Sequence, residues 1–165
     1  MSDIEWRPIP GWEGFYEASD HGDVRSLPRR DRLGRKAGGQ LLAKTERGGY
    51  LQVSLRRKTE GERACMTVHK AVMLAFAGPR PSGHDIRHLD GNPLNNRRAN
   101  LAYGTRRENN LDAVRHGTNL NAAKTHCLRG HELTDDNIYL FRTSRACRRC
   151  RSIYRQRYED KKVAA

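Results

Sequence analysis

No run of apolar residues approaches the roughly 18 that a membrane-spanning helix needs, and only 36% of the 165 residues are hydrophobic. A membrane protein is therefore excluded, and no membrane partner is expected. The opening Met1-Ser2-Asp3-Ile4-Glu5-Trp6 lacks the basic head and apolar middle of a secretory signal, so a cytoplasmic location is expected. Cysteine is scarce. Four thiols in a reducing compartment read as metal ligands or core residues and not as disulfides. Internal repeats and low-complexity segments are missing, and the length fits one domain of ordinary size or two small ones.

What the chain has in excess is positive charge. Its 32 Lys+Arg against 19 Asp+Glu give a formal charge of +13 and a pI near 10.2. A polyanionic partner is expected, because neutralising phosphates releases counterions. Charge alone does not say which nucleic acid, or whether it is cut. The excess is uneven: residues 1–20 carry Arg7 against Asp3, Glu5, Glu13, Glu17 and Asp20, whereas residues 142–157 hold seven arginines and no acid. Such a run can be a solvated helix face; phosphate contact through Arg148, Arg149, Arg151 and Arg155 is the favoured reading. A second basic stretch, Arg29, Arg30, Arg32, Arg35 and Lys36, is read as an exposed loop. Gly34, Gly38 and Gly39 would let its backbone approach a ligand closely.

Local pattern places the elements. Residues 15–19 and 23–27 flank the turn formers Asp20-His21-Gly22, which predicts a hairpin, with Trp6, Trp12 and Tyr16 as packing residues of a small N-terminal unit. Tyr50 to Leu55 alternates at period two, as a half-buried strand does, and a short strand follows near Arg63 to Thr67. Val68, Ala71, Val72, Ala75 and Phe76 recur at helical spacing up to Gly78-Pro79. Asp85 to Leu89 predicts a strand, residues 90–100 a compact loop dense in turn formers, and Leu101 to Gly104 a returning strand. Thr105 and Glu108 form a capping box for a helix through Leu111 and Val114 to Gly117. Cutting a phosphodiester requires a general base and a divalent cation; on this strand–loop–strand–helix unit, His88 is a candidate for the first and Asn109 a candidate holder of the second.

Farther on, Cys127-x3-His131 and, after fifteen intervening residues, Cys147-x2-Cys150 supply four ligands in two close pairs, the pattern of a structural Zn²⁺ site. His126 adjoins Cys127 too closely for the usual chelate spacing, and Cys65 is left over as a buried apolar residue.

The segments "HKAVMLAFAG", "RHLDGNPLNNRRANLAYGT" and "RRENN" within residues 69–117 resemble the HNH nucleases with a ββα-metal core, most closely the homing endonucleases of bacteriophages. The stretch "WRPIPGWEGFYEASDHGDVRSL" is similar to the modular DNA-binding segment that precedes the core in those enzymes, and the cysteine-bearing tail is similar to a zinc finger appended to some of them. The resemblance implies an α+β chain: a DNA-contacting β-rich segment with a small antiparallel hairpin unit over 1–60, the HNH core over 61–120 and a zinc-binding basic module over 121–165. It also implies hydrolysis of duplex DNA, nicking it or cutting both strands, with Mg²⁺ or Mn²⁺ as cofactor, His88 as general base, Asn109 as metal-binding residue and Asn100 as holder of the loop that orients the base. If the chain is phage-encoded, the cytoplasm is that of the host. Asn92, Asn95 and Asn96 are assigned to loop architecture, and His69, which recurs in the family, to a structural hydrogen bond.

One position departs from the family. Where many relatives place a metal-binding Asp before the catalytic His, this chain has Arg87. Asp85, two residues earlier on the same strand face, and Asp90 are the substitute ligands to consider, and Arg87 is read as a phosphate clamp. Arg97 and Arg98 complete the expected DNA contacts. The departure keeps open a second class, a DNA-binding protein on a nuclease scaffold without cleavage. An RNA-binding zinc protein is a third.

Overall fold

The computed structural model describes residues 3–30, 33–57, 62–141 and 144–163; the expected DNA contact Arg32 lies outside them. The chain divides into two compact units, Met1–His116 and Gly117–Ala165.

The first unit begins with a three-stranded antiparallel sheet of β1 (Trp6–Pro8), β2 (Tyr16–Ser19) and β3 (Val24–Ser26) in sequential order. The expected hairpin is β2–β3; β1 is too short and too irregular in pattern to read from sequence. The stretch read as an open basic loop is partly ordered, with β4 (Arg29–Arg30) paired antiparallel to β5 (Lys36–Ala37). Gly38 serves the chain itself: a Cβ there would collide with the Leu27 carbonyl. Next come β6 (Thr45–Arg47), β7 (Tyr50–Arg57) and β8 (Glu62–Thr67), a second antiparallel sheet, and α1 (Val68–Ala77).

A boundary near residue 60 would fall between β7 and β8, which pair from Gln52↔Thr67 to Arg57↔Glu62. No core boundary lies there either. Ile9, Trp12, Tyr16, Ala18 and Val24 of the N-terminal segment share one buried cluster with Val53 and Leu55 of β7 and Val68, Ala71, Val72 and Met73 of α1. The Tyr16 hydroxyl stitches the sheets by donating to the Arg56 carbonyl at 3.0 Å and accepting the Arg56 N–H at 2.9 Å. Alternation on β7 sends Val53 and Leu55 inward and Ser54 outward. Cys65 pairs with Ser54 and is therefore exposed, not buried as expected.

The hairpin β9 (His84–His88) and β10 (Leu101–Thr105) runs directly into α2 (Arg106–Arg115). The capping box forms as the sequence indicates: the Glu108 N–H donates to the Thr105 hydroxyl at 3.3 Å, and the Thr105 N–H donates to the Glu108 carboxylate at 2.7 Å. Leu111 and Val114 are exposed, and the residue that α2 buries is Asp112. The second unit contains α3 (Leu120–Ala123), the hairpin β11 (Ile138–Phe141) and β12 (Ser144–Cys147), and α4 (Arg148–Val163).

Candidate active site and metal centre

His88 ends β9 opposite Leu101, at the mouth of the 90–100 loop. That loop is tied by its own side chains. Asp90 accepts from the Asn92 N–H at 2.8 Å, the Asn95 amide at 2.6 Å and the Asn100 amide at 2.8 Å, and the Asn100 oxygen accepts the Asp90 N–H at 3.0 Å. Burial opposes it, but these bonds together with His88 hold the Asp90 carboxyl below its ordinary range. With its oxygens so occupied, Asp90 is a loop lock and not a free metal ligand. Asn100 performs the loop-holding role at Asp90, and its amide also donates to the Asn95 carbonyl at 2.9 Å.

The partner of the His88 ring is Asn96, which the sequence reading left as scaffold: Asn96 Oδ1 lies 3.4 Å from His88 Nε2. Two further rings surround His88. His69, on α1, stands edge-on at 5.3 Å between centroids, and Tyr50, on β7, lies at 6.2 Å. Burial pushes the His88 pKa below 6.5, against the upward pulls of the Asn96 hydrogen bond and the Asp90 carboxylate. For His69, burial and His88 lower it to about 4. Both imidazoles are thus neutral at physiological pH. His69 makes the structural contact expected of it, Nε2 to the Thr67 hydroxyl at 3.1 Å.

Tyr50 and His69 line a cavity of ≈ 500 Å³ that reaches Asp85 and Asn109, with Arg80 and Tyr103 on its walls. Asn109 is exposed on the first turns of α2. Asp85 pairs with Arg80 at 3.2 Å and remains accessible. These two residues offer oxygen atoms to one space, the ligand type that Mg²⁺ and Mn²⁺ take.

Arg87 is elsewhere engaged. Its Nε and a terminal nitrogen lie 2.7 and 2.6 Å from Asp112 Oδ2, and its other terminal nitrogen lies 3.4 Å from Glu108. The Arg87 and Asp112 side chains are only 15% and 6% exposed, and a Cβ on Gly104 would collide with the arginine. The expected phosphate clamp is therefore a buried tie between β9 and α2. The signal was present in sequence as Glu108 and Asp112 at i,i+4, a carboxylate pair facing the strand that carries Arg87. Removing one partner of such a buried pair strands the other charge. Asp112→Ala is expected to lower stability by about 3 kcal/mol, measured by urea denaturation; an unchanged midpoint would show the pair to be unimportant.

The other expected DNA contacts sort by environment. Arg35, Lys36, Arg97 and Arg149 are exposed. Arg29 packs over Phe15 at 5.3 Å, and Arg30 and Arg98 donate to the Gly34 and Leu101 carbonyls. On α4, Arg148 donates to the Ile138 carbonyl, Arg151 lies over Tyr139 at 4.7 Å and Arg155 pairs with Glu159 at 3.0 Å.

In the second unit Cys127, His131, Cys147 and Cys150 converge, their ligand atoms all within 4.8 Å of one another. Four of the six separations, Cys127–His131 (3.5 Å), Cys127–Cys150 (3.5 Å), His131–Cys150 (3.3 Å) and Cys147–His131 (3.7 Å), match the edges of a tetrahedron with metal bonds of about 2.0–2.3 Å, roughly 3.3–3.8 Å. Asn137 supports the cluster, accepting the Arg149 N–H at 3.0 Å while its amide lies 3.5 Å from the Cys147 sulfur. His126 lies outside the cluster and bonds Thr125.

With this geometry in place, the comparisons with known proteins are specific. Residues 67–111 match the HNH endonuclease family model, and residues 5–56 match the NUMOD4 motif. The chain thus carries an HNH endonuclease domain preceded by a NUMOD4 motif. It is homologous to DNA endonuclease I-HmuI of Bacillus phage SP01, being 31% identical to it over 121 residues, 73% of this chain and 63% of that protein. The solved structure titled "DNA binding and cleavage by the HNH homing endonuclease I-HmuI" superposes with a TM-score of 0.55 at 30% identity, over 69% of this chain and 60% of that one. An uncharacterized HNH endonuclease of Acanthamoeba polyphaga mimivirus is 30% identical over 113 residues, 66% of this chain and 26% of the relative. The chain therefore matches less than two thirds of the length of either relative. No helix among the described residues is long and apolar enough to cross a membrane.

Proposed function

We propose that the protein is an HNH endonuclease that hydrolyses phosphodiester bonds in duplex DNA with the help of a divalent cation. The observation that carries this reading is a half-buried His88 packed against His69, which lines the cavity that runs to Asp85 and Asn109, within the segment that matches the nuclease family. With Nε2 facing the Asn96 oxygen, Nδ1 of His88 is the nitrogen left to take a proton from water. Asn109 and Asp85 would hold Mg²⁺ or Mn²⁺, together with phosphate oxygens and water. Such an ion stabilises the charge that develops on the phosphate and on the leaving oxygen. Products with 5′-phosphate and 3′-hydroxyl ends are implied. Among the expected DNA contacts, the exposed Lys36, Arg97 and Arg149 offer cations to phosphates, and Cys127, His131, Cys147 and Cys150 would hold a structural Zn²⁺.

The buried Arg87–Asp112 pair supports one rival reading, DNA binding without cleavage, because it puts a guanidinium at the position where the resemblance to many HNH nucleases implies a metal-binding Asp. Incubating end-labelled duplex with Mg²⁺ separates the two. Cleavage to 5′-phosphate ends supports the endonuclease; a retarded, intact duplex at every divalent ion supports the binder.

The pH dependence follows from His88. The base works when neutral, and its pKa is depressed in the folded protein, so activity is lost only as pH falls through that lowered value. The acid limb of single-turnover cleavage is expected below pH 6.5; a midpoint above 6.5 would contradict a buried histidine base.

A further inference from the structure

We propose that Asn96 is the positioning residue of the active site: its amide oxygen holds the Nε2–H of His88, and the turn of the N-terminal hairpin braces Asn96 in that pose. The inference rests on the reading of His88 as general base.

Three observations carry it. First, Asn96 is 4% exposed, and its orientation is fixed from the other end because its NH₂ donates to the Leu94 carbonyl at 3.0 Å. The oxygen therefore faces His88. An amide oxygen only accepts, so Nε2 must carry the proton and Nδ1 must be the free base. At 3.4 Å the contact is longer than the usual N–H···O range of about 2.7–3.2 Å, as catalytic hydrogen bonds often are before substrate arrives. Second, the backbone of Asn96 is pressed against the turn between β2 and β3. Gly22 sits there at φ +85°, and a Cβ on it would lie 2.8 Å from the Asn96 carbonyl carbon and oxygen. The Arg98 N–H donates to the Asp20 carbonyl at 2.8 Å beside the same seam. The NUMOD4 segment thus braces the loop that carries Asn96. Third, His69 from α1 and Tyr50 from β7 meet the His88 ring by ring packing, and neither makes a hydrogen bond to it among the described contacts. Arg87 turns to Asp112, and Asp90 spends its oxygens on the loop amides. Among the described residues Asn96 is the side chain placed to set the tautomer.

The test uses the full chain with ¹⁵N-labelled histidine, comparing wild type, His88→Ala, Asn96→Ala and Asn96→Asp by imidazole ¹⁵N NMR and by single-turnover cleavage of duplex DNA with Mg²⁺. Wild-type His88 should give the Nε2–H tautomer. Asn96→Ala should mix the tautomers, lower the cleavage rate about 10- to 100-fold and move the acid limb to lower pH, since a bond that favours the protonated ring is gone. Asn96→Asp keeps the acceptor and adds charge; it should keep the tautomer and move the acid limb to higher pH than wild type. An unchanged tautomer and rate in folded Asn96→Ala would overturn the proposal. Should Asn96→Ala fail to fold, an acid limb unmoved in Asn96→Asp would overturn it. Normal cleavage by His88→Ala would instead remove the base itself, whatever the Asn96 variants do.

Discussion

Replacing His88 with alanine is expected to lower the single-turnover cleavage rate of duplex DNA by about 10²- to 10⁴-fold, the usual contribution of a general base, with affinity for that DNA nearly unchanged. The separation of the two effects follows from the site. His88 is a neutral, half-buried ring enclosed by Asn96, His69 and Tyr50, so deleting it removes no exposed positive charge from the phosphate-facing surface. It also leaves the loop locked, because the Asp90, Asn95 and Asn100 network closes without the imidazole. Single-turnover rates and gel-shift affinities on the same substrate check the point. An affinity loss as large as the rate loss would place His88 in binding and not in proton transfer.

The second large effect is expected from removing the metal of residues 117–165. Cys147 is the one buried hydrophobic residue among the described residues of that unit, so its interior consists of the four-ligand cluster and the hairpin and helix that present it. A module of this size has too little apolar core to fold by burial alone. Binding of a structural Zn²⁺ supplies roughly 10–16 kcal/mol in comparable small modules, so most of its folding energy would come from the ion. Cys147→Ser, or stripping with a strong chelator, should therefore unfold residues 117–165 and open them to protease. The Met1–His116 unit, with its separate core, should remain protected. Elemental analysis should give one zinc per chain. A stripped protein that keeps its tail protected would show that the cluster does not carry the module.

Much of this was legible in the sequence, for reasons that differ by element. The capping box ahead of α2 and the apolar spacing of α1 are local signals, readable within one or two helical turns. So were the paired ligands of the tail, since metal chemistry restricts their spacing. The β4–β5 and β6 pairings escaped because strands of two or three residues carry no usable period. The single core shared by the NUMOD4 segment and α1 escaped because long-range packing leaves no mark in local pattern. The same limit explains the site. His88, Asn100 and Asn109 stood out by resemblance, whereas Asn96 looked like one more turn-forming asparagine until its oxygen was found facing His88. Arg87 was visible as an oddity, but its meaning lay 25 residues away at Asp112.

The central claim, hydrolysis of DNA at His88 with a divalent cation, is tested most directly on supercoiled plasmid incubated in parallel with wild type plus Mg²⁺, wild type plus EDTA, and His88→Ala plus Mg²⁺. Relaxed or linear plasmid in the first reaction alone is the predicted result. Equal conversion by His88→Ala, or an untouched plasmid in all three despite DNA binding, would contradict it.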